Sequence, residues 1–395
     1  MNRARLLRTV VPVAAGVALI GTVAGTYAAS RARIRVVGAV PGRLADTTFW
    51  RMFSEMSEPG GYFRSDNFVS NESAYQFVIP TLERRIKPGG AYLGVGPDQT
   101  FTYLAAFRPG IAFIVDIRRQ NAMQHLMYKA LIEASADRAD FLSRLFSRPR
   151  PPGLDTNSSV AQLLAAYAKV RAVGEQRDTV MDLVSRLLRI THGFPISDED
   201  FASIEYVHGA FYESGPDLRY ASGQQGFRGS GGRMARRSFA RRFPSYAELM
   251  QETDGQGVAR SYLATERAYR LLRDMESRNV IVPVVGDFAG QKALRAVGRW
   301  LKEHDAPVTV FYTSNVEQYL FEQDDDWSKF YDNVAKLPID SASTFIRSVS
   351  SRMRVQSQHP SANIAQLVQP IDGLLRAHRA RRVRNYRDVI AMSAY

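Results

Sequence analysis

Two glycines and one acid have the spacing of sites that hold nucleotide-type ligands. The glycines are Gly94 and Gly96 in AYLGVGPDQT, and Asp116 ends the stretch FIVD, 20 residues after Gly96. Glycines at the turn after a strand let the backbone approach a ligand closely, and a carboxylate after the next strand can accept from ribose hydroxyls. The spacing predicts a nucleoside site. The alternative is that the glycines only turn the chain and Asp116 caps the following helix.

The glycine pattern favours a ligand without a pyrophosphate. A dinucleotide fingerprint has a third glycine, and here Gln99 stands in its place while Pro97 stiffens the turn. The GxxxxGK[ST] sequence of phosphate loops is absent. S-adenosylmethionine (SAM) is a nucleoside-type ligand without a pyrophosphate, so it is the cofactor that we expect.

Parallel strands are needed to position these residues. Apolar, β-branched stretches predict strands over residues 91–95, 111–117, 279–285 and 307–312, with helical patterns after each of the first three. This alternation predicts an α/β fold with a mostly parallel sheet. Between the second and third strands, residues 137–277 have mainly helical patterns, which predict a large helical insertion.

The chain divides into five predicted parts. They are a signal peptide or membrane anchor over residues 1–30, a tether over 31–46, the first part of the α/β domain over 47–136, the helical insertion over 137–277, and the second part of the domain with a basic C-terminal segment over 278–395.

The stretch GGAYLGVGPDQTFTYLAAFRPGIAFIVDIRRQN resembles the first two motifs of Rossmann-like SAM-dependent methyltransferases. Together with SDNFVSNE before it and GDF and YTSN after it, the stretch also resembles a family of uncharacterised bacterial proteins with a methyltransferase-like core. The resemblance covers most residues from about 45 to 350. It implies a Rossmann-like fold and SAM as cofactor.

The resemblance also implies roles for individual residues. Gly94 and Gly96 would border the methionine part of SAM, Asp116 would bind the ribose, Asp287 and Phe288 would approach the adenine, and Asn315 would face the transferred methyl group.

Two departures from the methyltransferase pattern leave the activity open. Tyr92 or Leu93 replaces the acid that usually precedes the glycine turn, and Asn315 lacks the prolines that follow it in amino-group methyltransferases. We therefore expect a SAM-dependent methyltransferase-like protein of unknown substrate. The alternative is a non-catalytic binding or scaffold protein that retains the fold.

Other chemistry has weaker signals. Glu205 and His208 in the helical region could supply an acid/base pair, although such residues more often lie on the surface or at the edge of the core. The chain has no cysteine, and its six histidines form no HxxxH or HxH pair, so no metal site is expected.

The charge pattern indicates anionic partners. The formal net charge is +13, and residues 233–242 and 376–387 are rich in arginine. These segments could bind anionic lipid or nucleic acid, or they could be a solvated loop and a charged helix face.

The N-terminal segment predicts a membrane contact. Residues 9–30 are uncharged and long enough to span a bilayer as an apolar helix or to act as an export signal. Arginines flank the segment on both sides, so the positive-inside rule leaves the side of the membrane open. We expect a chain anchored by a single N-terminal helix, or exported to the periplasm.

Overall fold

A six-stranded, mostly parallel β-sheet forms the centre of the chain in the computed structural model, which describes residues 39–220, 243–350, 353, 355 and 364–394. The strands are β1 Ala91–Gly94, β2 Ile111–Asp116, β3 Ile281–Val285, β4 Val308–Ser314, β5 Thr344–Ser350 and β6 Ile364–Pro370. Their order is β3-β2-β1-β4-β5-β6, with every neighbouring pair parallel except β5 and β6. The chain is therefore a mixed α/β protein, as predicted.

The inner part of the sheet is covered on both faces. Every residue of β1, β2 and β3 is buried, as expected for near-continuous apolar strands of a parallel sheet. Pro283 lies within β3, whose one neighbour in the described sheet is β2. An edge strand accommodates proline because its outward side needs no ladder hydrogen bond.

Helices connect and cover the strands. Before β1 come α1 Asp46–Met56, a 3₁₀ turn Tyr75–Val78 and α2 Ile79–Glu83; α3 Gln99–Phe107 follows β1 and α4 Arg119–Ala134 follows β2. After β3 come α11 Ala293–Glu303 before β4, α12 Val316–Phe321 and α13 Asp326–Val334 between β4 and β5, and α14 Ile371–Arg379 and α15 Tyr386–Ala391 after β6.

The region between α4 and β3 is helical wherever it has regular secondary structure in the described residues. Its helices are α5 Arg138–Phe146, α6 Val160–Ala168, α7 Gly174–Ser185 with a π-helical extension Arg186–Thr191, α8 Asp198–Ser214, a 3₁₀ turn Gly215–Asp217, α9 Tyr246–Gln251 and α10 Glu266–Ser277. Helices α5 and α8 pack on α4, and α10 packs on α3 and α4. The helical pattern predicted there is confirmed, and its status as a separate insertion stays a prediction.

Two predicted segments lie outside the described residues, namely 9–30 and 233–242. Within the described part of the chain, none of the helices combines the length and the apolar character needed to cross a bilayer. The second basic segment, residues 376–387, covers the end of α14, the connecting turn and the start of α15. Its six arginines are exposed, namely Arg376, Arg379, Arg381, Arg382, Arg384 and Arg387.

Candidate functional site

A cavity of about 240 Å³ lies at the carboxyl ends of the parallel strands. Its walls include Gly96 after β1, Asp116 at the end of β2, Asp287 after β3 and Asn315 after β4. In open α/β sheets, ligands bind outside the carboxyl ends of the strands where the strand order reverses. Here the order reverses between β1 and β4, so this cavity is the candidate site.

The segment before α2 and the start of α12 form the mouth of the cavity. Tyr62, Phe63, Tyr220 and Tyr319 line it, and Tyr62 is 67% exposed. The rings of Phe63 and Tyr319 meet edge to face with their centroids 5.4 Å apart. The site therefore opens to solvent through an aromatic rim.

Five of the residues predicted for the site line this cavity, namely Gly96, Asp116, Asp287, Phe288 and Asn315. Gly94 does not. It lies within β1, where an added Cβ would come within 2.6 Å of the Tyr92 ring. Gly94 thus leaves room for Tyr92, the buried aromatic residue that stands where an acid was expected.

Glu205 and His208 are not among the residues that line the cavity. Both lie on α8; Glu205 is exposed, and His208 is buried with its Nε2 3.1 Å from the carbonyl oxygen of Arg144. Because a carbonyl can only accept, Nε2 carries the proton, and burial lowers the pKa of His208 to about 4. His208 is neutral at pH 7 and does not share the cavity with Glu205.

The predicted ribose-binding acid forms a buried ion pair. Arg118 donates to Asp116 Oδ1 from its backbone nitrogen (2.9 Å) and Nε (3.0 Å), and to Oδ2 from Nη2 (2.8 Å). Its Nη1 also donates to the backbone carbonyl of Asp66. Since a carboxylate has about four lone-pair sites, Asp116 retains capacity to accept from a ligand. Its side chain accepts from the backbone nitrogen of Arg118, the residue just before α4, so the alternative role of Asp116 as a helix cap stays open beside the ribose role.

A histidine that was not identified as a site residue from the sequence holds the glycine turn in place. Gly96 has φ +85°, the left-handed region that favours glycine. His125 Nε2 donates to the Gly96 carbonyl at 2.9 Å, and burial lowers the pKa of His125 to about 4. A neutral histidine on α4 therefore orients the turn without adding charge.

Gln99, at the position of the missing third glycine, fills the space above the turn. Its Nε2 donates to the Tyr312 hydroxyl at 3.2 Å, and a Cβ added at Gly96 would lie 3.1 Å from that nitrogen. Gln99 is 4% exposed and lines the cavity, and its Oε1 has no hydrogen-bond partner among the described residues. This oxygen can accept from a ligand.

Glu72 is the second residue that the sequence did not reveal. It lies on the cavity wall, is 1% exposed, and accepts hydrogen bonds from the hydroxyls of Tyr312, Ser314 and Ser348. Burial raises its pKa. Ser314 ends β4 with φ +53°, an uncommon conformation for a residue other than glycine that turns its side chain toward Glu72. The sequence signal available for Glu72 was its position at the end of SDNFVSNE. No partner for its carboxylate lies nearby in sequence.

The loop after β3 is held by an acid from the distant start of the fold. Glu58 Oε2 accepts from the Asp287 nitrogen at 3.1 Å, and Oε1 accepts from the nitrogens of Lys292 (2.9 Å) and Ala293 (2.8 Å). Burial raises the pKa of Asp287. Phe288 beside it stacks on Phe330 with centroids 5.2 Å apart. Glu58 thus caps α11 and positions both predicted adenine-site residues.

A family model described as a domain of unknown function, DUF7790, matches residues 67–171 and 221–394. The chain belongs to the DUF7790 family. The matched ranges contain Glu72, Gly96, Asp116, Asp287 and Asn315, and so include the core of the cavity. A search of curated proteins found no match.

The cavity of this DUF7790 protein is acidic although the chain is basic. Its charged lining residues in the described ranges are Glu72, Asp116 and Asp287 against Arg118 alone, whereas the whole chain has a net charge of +13. Since Arg118 neutralises Asp116, an excess of negative potential in the cavity comes from Glu72 and Asp287 when they are ionised. Burial raises the pKa of both, so a cationic ligand is the partner that would favour the ionised state. The site is suited to a cationic ligand more than to a phosphate.

Proposed function

We propose that the cavity binds SAM and that the chain is a SAM-dependent methyltransferase-like protein of unknown substrate. One observation carries the proposal. Gly96 and Asp116, which are 20 residues apart, and Asp287, which is distant from both in sequence, lie at the ends of three neighbouring strands and line the same cavity. The strand order supports a Rossmann-like fold, because it is that of doubly wound nucleotide-binding sheets with the last strand reversed.

The charge of the cavity supports SAM over phosphate-bearing ligands. SAM carries a sulfonium and an ammonium against one carboxylate, so it is a net cation. A dinucleotide would bring a pyrophosphate into an acidic site, and the Gln99 side chain occupies the space over the glycine turn.

The residues present suit the parts of this ligand. Asp116 retains lone pairs for ribose hydroxyls, Phe288 offers an aromatic face for adenine, and the Gly96 backbone allows close approach. Strands are spaced about 4.8 Å apart, so the span from β3 to β4 is roughly 14 Å. This is the length of an extended nucleoside with a side chain of several atoms. Asn315, after β4, would then face the reacting end.

Calorimetric titration with SAM tests the proposal. We expect binding by the wild-type chain and an affinity about tenfold lower for Asp116→Asn, because a charge-assisted hydrogen bond to the ribose is lost. The matched control is Asp254→Asn, which removes another buried acid paired with an arginine but lies outside the cavity. The control should bind SAM like the wild type. Absence of binding at millimolar SAM would end the cofactor proposal.

The alternative is a protein that binds the nucleoside without turnover. It is favoured by the Arg118 guanidinium, which engages both oxygens of Asp116, and by Tyr92 in place of the acid before the glycine turn. Incubation of the protein with SAM and an extract of the source cells separates the two functions. Formation of S-adenosylhomocysteine above the level given by Asp116→Asn supports a methyltransferase, and binding without conversion supports the alternative.

We further propose that residues 9–30 attach the chain to a membrane or direct its export. SAM is made in the cytosol, so methyl transfer requires that the α/β domain face the cytoplasm. A C-terminal reporter fusion that is active only outside the cytoplasm would therefore favour the binding protein over the enzyme.

A further inference from the structure

Glu72 is a fully buried acid of the site that lacks a counter-ion among the described residues, whereas Asp287, which also has no ion pair there, is only partly buried. Asp116 pairs with Arg118, and the buried Glu317 outside the cavity pairs with Arg347. For Glu72, no lysine, arginine or histidine lies within ion-pair distance among the described residues, although the side chain is 1% exposed. Buried charges are normally paired, because desolvation of a lone charge is costly.

The hydrogen bonds around Glu72 favour its ionised form, and they oppose without outweighing the burial that raises the pKa of Glu72. Tyr312 accepts from Gln99 Nε2, so the Tyr312 hydroxyl proton is available to donate to Glu72 Oε2. The hydroxyls of Ser314 and Ser348 also point at the carboxylate, one at each oxygen. The single Ser348 proton also lies within reach of Gln366 Oε1 at 3.0 Å, so two or three O–H donors stabilise the carboxylate, and they do not replace a positive charge.

The position of Glu72 matches one end of the proposed ligand. Its partners Tyr312 and Ser314 belong to β4 and Ser348 to β5, whereas Asp116 ends β2. Two strand spacings separate β2 from β4, or about 10 Å. With the ribose at Asp116, the methionine end of SAM reaches the β4 side of the cavity, where Glu72 lies.

We propose that Glu72 supplies the counter-charge for the sulfonium of the ligand, so that the cavity selects SAM over the corresponding neutral thioether. The inference rests on the proposed function, since it takes SAM as the ligand. It goes further in naming the group that distinguishes SAM from S-adenosylhomocysteine, the species left when the methyl group has been transferred. Loss of the positive charge on sulfur would return Glu72 to an unpaired state and favour release of that product.

Calorimetry with SAM and S-adenosylhomocysteine tests this role. We expect the wild type to bind SAM about tenfold more tightly than S-adenosylhomocysteine, a factor that corresponds to ~1.4 kcal/mol. In Glu72→Gln the two affinities should agree within about twofold, through loss of SAM binding alone. Glu72→Asp, which keeps the charge, should retain part of the preference.

The matched control is Glu276→Gln, the same substitution at a buried glutamate on α10 that does not line the cavity. It should keep the wild-type preference. Equal loss of affinity for both ligands in Glu72→Gln would make Glu72 a structural residue and overturn the proposal. Equal affinities of the wild type for SAM and S-adenosylhomocysteine would also overturn the proposed role of Glu72, without any variant. The proposed nucleoside site would still stand. Binding of neither ligand would overturn the inference together with the proposed function.

Discussion

At the scale of single residues, Asp98 shows that an acid of the glycine stretch can serve the core instead of the cavity. It precedes α3, is fully buried, and accepts from the Tyr262 hydroxyl at 3.1 Å. Burial raises the pKa of Asp98 to about 7, against the opposing hydrogen bond from Tyr262. The carboxyl group is therefore half-protonated near neutral pH.

Asp98 makes stability depend on pH in a defined direction. Between pH 4 and 7 the folded chain keeps a proton that the unfolded chain has lost, so the free energy of unfolding falls by up to ~4 kcal/mol as pH rises. Asp98→Asn removes this contribution. In urea unfolding from pH 4.5 to 8, the free energy of unfolding of the variant should rise relative to that of the wild type up to about pH 7. Above that pH the difference between the two should stay constant.

The control for Asp98→Asn is a variant whose effect on stability should change with pH in the opposite direction. Burial of Asp254 favours its neutral form, but its hydrogen bonds, first that from Arg260, outweigh burial and lower its pKa. The deficit of Asp254→Asn relative to the wild type should shrink as pH falls. A constant difference between Asp98→Asn and the wild type across the series would contradict the assignment.

Residues of the site were predictable where the signal was local. Asp116 follows Gly96 by a fixed spacing at the end of an apolar strand, and the structure brings both to one cavity. Glu72 was not predictable, because its partners Tyr312 and Ser348 come 240 and 276 residues later. No spacing pattern within the sequence relates such distant groups. Only the topology of the sheet brings them together.

At the scale of elements, the parallel strands β1 to β4 were predictable from the sequence, and the strands β5 and β6 at one edge of the sheet were not. The apolar runs of β1 to β4 are bounded by turn residues, which gives each a clear pattern. Strand β5 contains Arg347 and two serines, and β6 contains two glutamines. All of these polar residues except Ser350 are buried in the structure, where Arg347 pairs with Glu317 and Ser348 binds Glu72, and their polarity masks the strand pattern.

The loop after β3 depends on Glu58, which comes before the sheet in sequence. In Glu58→Ala, the amides of Asp287, Lys292 and Ala293 lose their acceptor, and α11 loses its cap. We expect a loss of ~1–2 kcal/mol in the free energy of unfolding and weaker SAM binding through the displaced Asp287. Urea unfolding and calorimetry measure the two effects.

Glu55→Ala is the matched control for Glu58→Ala. Glu55 lies near the end of α1, the helix that precedes Glu58, and is exposed, so its loss should change stability by less than about 0.5 kcal/mol and leave SAM binding unchanged. Equal effects of the two substitutions would show that Glu58 does not hold the loop.

At the scale of the whole molecule, charge is divided between an acidic cavity and a basic surface. The six exposed arginines of residues 376–387 lie on α14, α15 and the turn between them. We propose that this surface binds anionic lipid headgroups, consistent with the membrane contact predicted for residues 9–30.

Vesicle flotation with residues 39–395, one compact unit, tests the basic surface without the N-terminal segment. Binding should require phosphatidylserine, fade as salt rises, and disappear when Arg379, Arg382 and Arg384 are changed to glutamate. The same three positions changed to lysine keep the charge and should keep binding. Binding to neutral vesicles, or binding that salt does not weaken, would exclude this electrostatic contact.

The separation of Glu72 from its partners also has a consequence for synthesis. Glu72 and Tyr312 are 240 residues apart, so the carboxylate leaves the ribosome about 10 to 50 s before the hydroxyl that will bind it. Throughout that interval β1 lacks its neighbour β4, and the cavity lacks the wall formed by residues 314–323. A nascent chain captured by a membrane at its first thirty residues would therefore be held at the bilayer before any site for a ligand exists. Ligand could then enter only after the residues that follow β4 have emerged, in whichever compartment holds the domain.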